Sequence, residues 1–317
     1  MPDQTDPAIA DFDALARAAT AEQSARPGLP LCRAWQGLGL AAIRRDLEQR
    51  LLAAGIDEAA IETRHLLTHI LAPASLAEAL ADPALVSWQA VAELADLATA
   101  RLQRKPLSQV LGSQPFWTLD LAVTPDVLTP RADTEALVEA VLARAVAPEA
   151  RLLDLGTGSG AILLALLSER PGWCGLGVDL SATALKVASK NAETCGLAQR
   201  ARFAQGRWGQ GLGDAGFDIV VSNPPYIVSG VLAGLEPEVR DHEPALALDG
   251  GTDGLDAYRE ILADMPRLLR PGGLFALEIG YDQGEAVSAL ARVAGLVRIA
   301  CLPDLAGHDR VVIGHNG

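Results

Sequence analysis

The chain has 317 residues, 50% of them hydrophobic, enough apolar surface for one large domain, or a large and a small one, to fold without staples. A formal net charge of −14 argues against duplex nucleic acid as a main partner, because neutralising phosphates needs a basic stripe. Cys32, Cys174, Cys195 and Cys301 are scattered with no C-x-x-C pair, so neither a disulfide framework nor a zinc site is indicated, and no metal is expected.

The opening Met1-Pro2-Asp3-Gln4-Thr5-Asp6 has no basic or apolar region of a signal peptide, and no uncharged run is long enough to span a membrane. The expected location is cytoplasmic. Residues 1–37 are rich in Ala, Asp, Gln and Pro and weakly periodic, which reads as a disordered or loosely helical extension. Residues 38–105 turn helical. Ala42, Ile43, Leu47, Leu51 and Leu52 recur at helix spacing, then Ile61, Leu66, Leu67 and Ile70, with further helices at 75–81 and 87–103. This small helical domain lacks a catalytic cluster, so docking a partner is its expected task. His65 and His69 stand four apart, but no H-E-x-x-H glutamate or third ligand accompanies them, so they read as packing or surface histidines. Arg101, Arg104 and Lys105 read as a solvated helix end.

Residues 106–128 read as a β-hairpin linker, with alternation and aromatics from Phe116 to Val123. Residues 129–317 form the larger domain. Thr129-Pro130-Arg131-Ala132-Asp133-Thr134-Glu135 opens a helix over 136–145, with Asp133 or Thr134 as its cap. Next comes a strand at 151–155, the loop Gly156-Thr157-Gly158-Ser159-Gly160 and an apolar helix from Ala161, so that backbone N–H groups at the helix start can approach a ligand. The following strand, 175–180, carries Asp179, placed to accept both hydroxyls of a ribose. More strands are predicted at 201–205, 217–221, 273–279, near 296–302 and at 310–313. The last two are joined by residues 303–308, too few for a crossover helix, and should pair antiparallel. The fold expected is α/β: a mostly parallel seven-stranded sheet with a C-terminal antiparallel hairpin, plus the small N-terminal helical domain.

Asn223-Pro224-Pro225-Tyr226 follows the strand Phe217-Asp218-Ile219-Val220-Val221, and the prolines end it at once because neither can donate to a ladder. An amide and an aromatic ring are thus offered at the carboxyl end of a strand, the edge where open α/β sheets bind ligands. Gly156-x-Gly158-x-x-Ala161 also satisfies a dinucleotide fingerprint, which makes NAD a rival cofactor. Against NAD, Asp154 suits a cationic sulfonium ligand, no second mononucleotide half follows, and Asn-Pro-Pro-Tyr has no evident role in hydride transfer.

From about residue 38 onward the chain resembles class I S-adenosylmethionine-dependent methyltransferases, and within them the release-factor glutamine N5-methyltransferases (the PrmC/HemK family). The resemblance rests on Pro106-Leu107-x-Gln109-Val110-x-Gly112, Thr129-Pro130-Arg131-x-Asp133-Thr134-Glu135, Asp154 to Gly160, Asn223-Pro224-Pro225-Tyr226, and Glu243-Pro244-x-x-Ala247-Leu248-x-Gly250-Gly251-x-Asp253-Gly254-Leu255. A sister family that methylates a ribosomal-protein glutamine usually lacks the Asp133-Thr134-Glu135 ending. Ala132 replaces a second proline common in the family. The resemblance implies that Gly156, Thr157, Gly158, Ser159 and Gly160 wrap the amino-acid end of S-adenosylmethionine, that Asp179 holds the ribose, and that Trp208 lies beside the adenine. It implies that the Asn223 side-chain oxygen and the Pro224 carbonyl accept the two amide hydrogens of a glutamine, with Pro225 and Tyr226 walling the substrate. The expected substrate is the Gly-Gly-Gln glutamine of peptide chain release factors, bound by a monomer with no membrane or nucleic-acid partner. The alternatives are a ribosomal-protein glutamine, the exocyclic amine of adenine in a nucleic acid, and a docking protein that binds the cofactor without turnover.

Overall fold

The computed structural model describes residues 26–71 and 87–317. The helix expected at 75–81, and residues 1–25 of the expected extension, lie outside the described residues. The chain divides after Leu111 into two compact units.

The first unit contains the helices α1 (Leu29–Ala34), α2 (Leu40–Ala53), α3 (Ala59–Ile70), α4 (Trp88–Leu102) and α5 (Leu107–Leu111). Leu31, Cys32 and Trp35 are buried in its core, so part of the stretch expected as extension is folded. Within that stretch a helix starts: Pro30 sits in the first turn of α1, where its missing N–H would have no partner anyway. Gly28 lies flush on α4, its N–H donating to Asp96 Oδ1 at 2.9 Å, and a Cβ there would stand 2.3 Å from the Ala95 backbone. Leu40, Ile43, Leu47 and Leu51 form the buried stripe of α2; Leu52, one position round the helix, is exposed. Ser87 caps α4 by accepting from the Ala90 N–H. His65 and His69 are on the exposed face of α3.

The basic cluster at the end of α4 is not the solvated terminus that its spacing suggests. Arg101 is 4% exposed and forms a two-pronged pair with Glu62, Nε to Oε2 at 2.6 Å and Nη2 to Oε1 at 3.0 Å. Arg104 Nη1 donates to the carbonyls of Ala54 and Gly55, which end α2. Both guanidiniums tie helices distant in sequence, a use that local charge spacing cannot reveal.

The second unit opens with a hairpin, β1 (Ser113–Phe116) and β2 (Leu119–Ala122), then α6 (Glu135–Arg144), β3 (Ala150–Leu155), α7 (Ala161–Glu169), β4 (Trp173–Asp179), α8 (Ala182–Thr194), β5 (Ala201–Gln205) and β6 (Phe217–Ser222). It continues with α9 (Pro237–His242), α10 (Asp256–Leu268), β7 (Leu269–Glu278), α11 (Gly284–Val293), β8 (Val297–Pro303) and β9 (Asp309–His315). The seven-stranded sheet has the order β5-β4-β3-β6-β7-β9-β8; β9 runs antiparallel to both neighbours and the remaining pairs are parallel. Alternate residues serve opposite faces, as the period of two demands. Leu152, Ile219, Val221 and Ala276 pack with α6, α7 and the hairpin residues Phe116 and Leu121. Leu153, Leu155, Val220 and Phe275 pack with α10 and α11. With both faces covered, the central strands read as continuous apolar runs.

Glu62→Ala removes the carboxylate paired with the nearly buried Arg101 guanidinium, whose Nη1 also donates to the Lys105 carbonyl, and should destabilise the protein by about 2–4 kcal/mol. An unchanged urea midpoint would show that the other partners and solvent, rather than Glu62, satisfy Arg101.

Candidate active site

Sheet topology converges on one edge. The chain runs from β3 outward to β4 and β5, then crosses back to β6 on the other side of β3, which creates the switch point where open α/β sheets form a crevice. Leu155 is in register with Ser222, and the buried Ser222 hydroxyl donates to the Leu155 carbonyl at 2.6 Å. Gly156 and Asn223, the next residues, therefore leave the sheet side by side. Asp154 pairs with Gly177 across β3 and β4, which brings Asp179 to the same edge.

A cavity of about 840 Å³ opens there, lined among others by Gly156, Gly158, Asp179, Trp208, Asn223 and Pro225. Thr157, Ser159, Gly160, Pro224 and Tyr226 are not among its lining residues and stand behind it. Gly156, Gly158 and Gly160 all have left-handed φ, +71°, +54° and +82°, which a side chain would strain. A Cβ on Gly158 would meet nothing within 4 Å, and one on Gly156 would stand 3.3 Å from the Trp208 ring. The loop thus offers bare backbone to the cavity at one glycine and receives an indole at another. Trp208 itself holds a left-handed φ of +49°, a strained geometry for a bulky residue.

Asp179 accepts from the Gly158 N–H at 2.9 Å and the Ser181 N–H at 2.8 Å, one on each oxygen, so each oxygen keeps capacity for a further donor. Behind the loop, Asp154 is fully buried. Its Oδ2 accepts from the Thr157 hydroxyl at 2.6 Å, while Oδ1 has no hydrogen-bond partner. Burial pushes the Asp154 carboxyl up to about 7; Thr157 opposes the rise and the charge of Asp179 adds to it.

Thr134 does not cap the helix after it; a 3-10 turn, Ala132–Thr134, precedes α6 and the threonine side chain makes no cap bond. Its hydroxyl instead accepts from Asn223 Nδ2 at 3.2 Å. Asp133 faces Arg310 at 3.3 Å. Glu278, at the carboxyl end of β7, is 1% exposed, and its Oε2 has no hydrogen-bond partner. Burial raises Glu278 to about 7 against the opposing charge of Arg310. Burial also raises the Tyr226 phenol to about 12, keeping it neutral.

Several further residues that composition and spacing left unassigned shape the site. Asn191 of α8, 1% exposed, accepts from the Ala122 N–H and donates to the Ala122 and Ser159 carbonyls, fastening the hairpin to the glycine loop. Gln283 donates to the carbonyls of Tyr226 and Gly254 and accepts from the Gly280 N–H. The Glu243-to-Leu255 motif lies along Asn223-Pro224-Pro225-Tyr226: the Ile227 N–H donates to the Leu248 carbonyl, the Gly250 N–H donates to the Ile227 carbonyl, and a Cβ on Gly250 would fall 2.7 Å from Tyr226 Cα. Glu243 is anchored by Arg131 Nη2 at 2.7 Å. Among the described residues no group of acidic, His and Cys side chains could hold a metal ion, and no helix is long and apolar enough to cross a membrane.

Residues 147–296 match the family model of a methyltransferase domain. The chain is 49% identical over 271 residues to a release factor glutamine methyltransferase of Caulobacter vibrioides, covering 84% of this chain and 93% of that one. A protein of the same name from Cereibacter sphaeroides is 48% identical over 265 residues, 83% and 93% of the two chains. The catalytic domain of hMettl16, solved with the MAT2A 3′UTR hairpin 6, superposes with a TM-score of 0.53 at 16% identity over 70% of this chain and 82% of that one, a likeness of fold alone.

The buried acids set a pH dependence of stability. Asp154 binds its proton more tightly folded, near 7, than at its ordinary 3.8, and Glu278 likewise near 7 against 4.5. Stability is therefore greatest at low pH within this window and declines as pH rises towards 7, then levels. Between about pH 5.5 and 8 the ligand-free protein should lose up to about 2 kcal/mol for each acid. Asp154→Asn should remove about half of that slope, measured by urea unfolding across the range; a flat wild-type profile would mean that both acids are solvated.

Proposed function

The chain belongs to the release factor glutamine methyltransferase family, and we propose that it transfers a methyl group from S-adenosylmethionine to the side-chain amide of the glutamine in the Gly-Gly-Gln loop of peptide chain release factors. The single observation that carries this reading is the β3–β6 register, which opens the glycine loop and Asn223 into one cavity.

The residues present fit the cofactor. Gly158 leaves open space where a side chain would intrude, Asp179 retains acceptor capacity for ribose hydroxyls, and Trp208 supplies a flat apolar face for the adenine. When bound, S-adenosylmethionine supplies an electrophilic methyl on a cationic sulfur. Gly156 to Gly160, Asp179 and Trp208 are accordingly the proposed cofactor residues, with Asn223 at the junction of the two subsites.

A primary amide nitrogen is a weak nucleophile because its lone pair is delocalised into the carbonyl, so orientation matters more than a base. Asn223 Nδ2 is held by Thr134, and Oδ1 accepts no hydrogen bond among the described residues. That oxygen and the Pro224 carbonyl would accept the two hydrogens of the substrate amide and aim its lone pair into the cavity. Positioning of this kind can supply on the order of 7 kcal/mol. The nitrogen becomes acidic once methylated, so its proton can leave to water without a dedicated base. Pro225 and Tyr226 wall the amide from solvent.

The methylated group is a glutamine amide rather than an adenine amine. The relatives named for glutamine methylation cover most of this chain, and the net charge of −14 fits a protein rather than a nucleic-acid partner. The helical unit is the proposed docking element for the release factor, and the working form is proposed to be a cytoplasmic monomer. Mass spectrometry of release factors from cells with and without this protein should find one added methyl on the Gly-Gly-Gln glutamine only when it is present.

Asp179→Ala should weaken S-adenosylmethionine binding by about 1.5–3 kcal/mol through lost charge-assisted hydrogen bonds. Unchanged affinity by calorimetry would remove it from the site.

Asn223→Ala should leave cofactor affinity nearly intact and lower turnover about 10²-fold or more. Wild-type turnover in this variant, with the cofactor saturating, would sink the amide clamp.

A further inference from the structure

Pro224 and Pro225 leave Asn223-Pro224-Pro225-Tyr226 with no backbone N–H in its middle, so donors of its own cannot fasten it there. If the Pro224 carbonyl is kept for a substrate amide, the segment has to be gripped at Tyr226, whose carbonyl needs a donor from elsewhere. That donor is Gln283, which stands just before α11, is 8% exposed and is not among the residues lining the cavity. We propose that Gln283 is a positioning residue: its amide locks the Asn-Pro-Pro-Tyr segment to the neighbouring wall of the cavity, and turnover depends on that lock while cofactor affinity does not.

Its effect on turnover rests on the reading that Asn223 and Pro224 grip a substrate amide, whereas the lock itself is a matter of geometry. Gln283 Nε2 donates to the Tyr226 carbonyl at 3.1 Å and to the Gly254 carbonyl at 3.2 Å, and Oε1 accepts from the Gly280 N–H at 2.9 Å. All three partners are backbone groups of fixed polarity, so each one sets the same orientation of the amide. Among the described residues these three groups have no other hydrogen-bond partner. Glutamine is the side chain that satisfies them. Glutamate has the shape and the acceptor but would set an oxygen against two carbonyls; methionine fills the space without a polar group; asparagine is one methylene short. In a buried seam each mismatch leaves backbone groups unpaired, which is costly.

The seam that Gln283 closes joins two walls. The Ile227 N–H donates to the Leu248 carbonyl at 3.0 Å and the Gly250 N–H to the Ile227 carbonyl at 2.8 Å, so residues 248–250 run beside the end of the segment. A Cβ on Gly254 would fall 2.5 Å from the Tyr226 carbonyl oxygen, which leaves room there only for bare backbone. Asn223 and Pro225 from the segment, and Asp249, Gly251 and Asp256 from beyond the seam, all line the cavity. Its closure therefore sets the spacing between those walls. The Tyr258 hydroxyl, donating to the Glu278 carbonyl at 2.8 Å, holds the end of β7 from which Gly280 follows.

The test pairs kinetics with a measurement that needs no substrate. Gln283→Met should lower kcat on a release factor about 10- to 100-fold, counted per cofactor-binding site so that unfolded protein does not contribute, with the S-adenosylmethionine Kd changed less than about threefold. Gln283→Glu should be no faster than Gln283→Met, because shape without the NH2 donor leaves the seam open. In the wild-type protein, where folding is not in question, the Gln283 side-chain NH2 protons followed by NMR should exchange with solvent at least about tenfold more slowly than those of a free amide. A wild-type kcat per site in Gln283→Met or Gln283→Glu, or Gln283 NH2 protons exchanging at the free-amide rate, would overturn the proposal. If the wild type methylates no release factor, the proposed function fails, and the exchange rate alone then decides whether Gln283 locks the seam.

Discussion

The parallel seam between β3 and β6 is the constraint on which the site depends. Leu155 and Ser222 are held level by ladder register and by the hydroxyl that Ser222 donates to the Leu155 carbonyl in a fully buried setting. A one-residue slip would turn every side chain of β6 to the other face, sending Ile219 and Val221 out of one core layer and Val220 out of the other. It would also move Asn223 about 3.3 Å along the strand, away from Gly156. The apolar alternation and the position of the asparagine are therefore one specification: a sequence that satisfies the core satisfies the site.

From that seam the remaining parts are fastened by close backbone approach. Gly177 lies under Phe203 and the Thr157 hydroxyl, where a Cβ would come within 2.8 Å of both. Gly250 and Gly254 lie flush against Tyr226, leaving the Gln283 amide to bridge the Tyr226 and Gly254 carbonyls. Two prolines stiffen Asn223-Pro224-Pro225-Tyr226 from within, and the neighbouring loop braces it from outside. A clamp built in this way loses little entropy when a substrate arrives, the condition under which orientation accelerates a reaction.

Legibility of these features in the sequence follows from how local their causes are. The glycine loop, Asp179, the Pro-terminated strand and the antiparallel end of the sheet are written in short contiguous patterns, and the strands lie within a few residues of where those patterns put them. Thr134 reads as a helix cap because Ser and Thr usually are, and only contact with a residue 89 positions away reveals its other use. Asn191 on α8 and Gln283 just before α11 are single polar residues, indistinguishable from surface positions until the hairpin and Tyr226 are found against them. Arg101 misleads for the same reason, its partner being 39 residues distant. Pro30 misleads differently: a helix-breaking residue is also a good helix starter, and composition cannot tell which.

The two buried carboxylates divide the site by their surroundings. Each has one oxygen without a partner and each is raised to about 7 by burial, yet their neighbours differ in sign. Asp154 sits near Asp179, whose charge adds to the rise that burial causes. Near Glu278 the charge of Arg310 opposes the rise that burial causes. Under the proposed reading the glycine-loop end of the cavity captures the cofactor and the asparagine end holds a weak nucleophile still. The fold sets these two ends on the neighbouring strands β3 and β6, with β7 on the far side of β6.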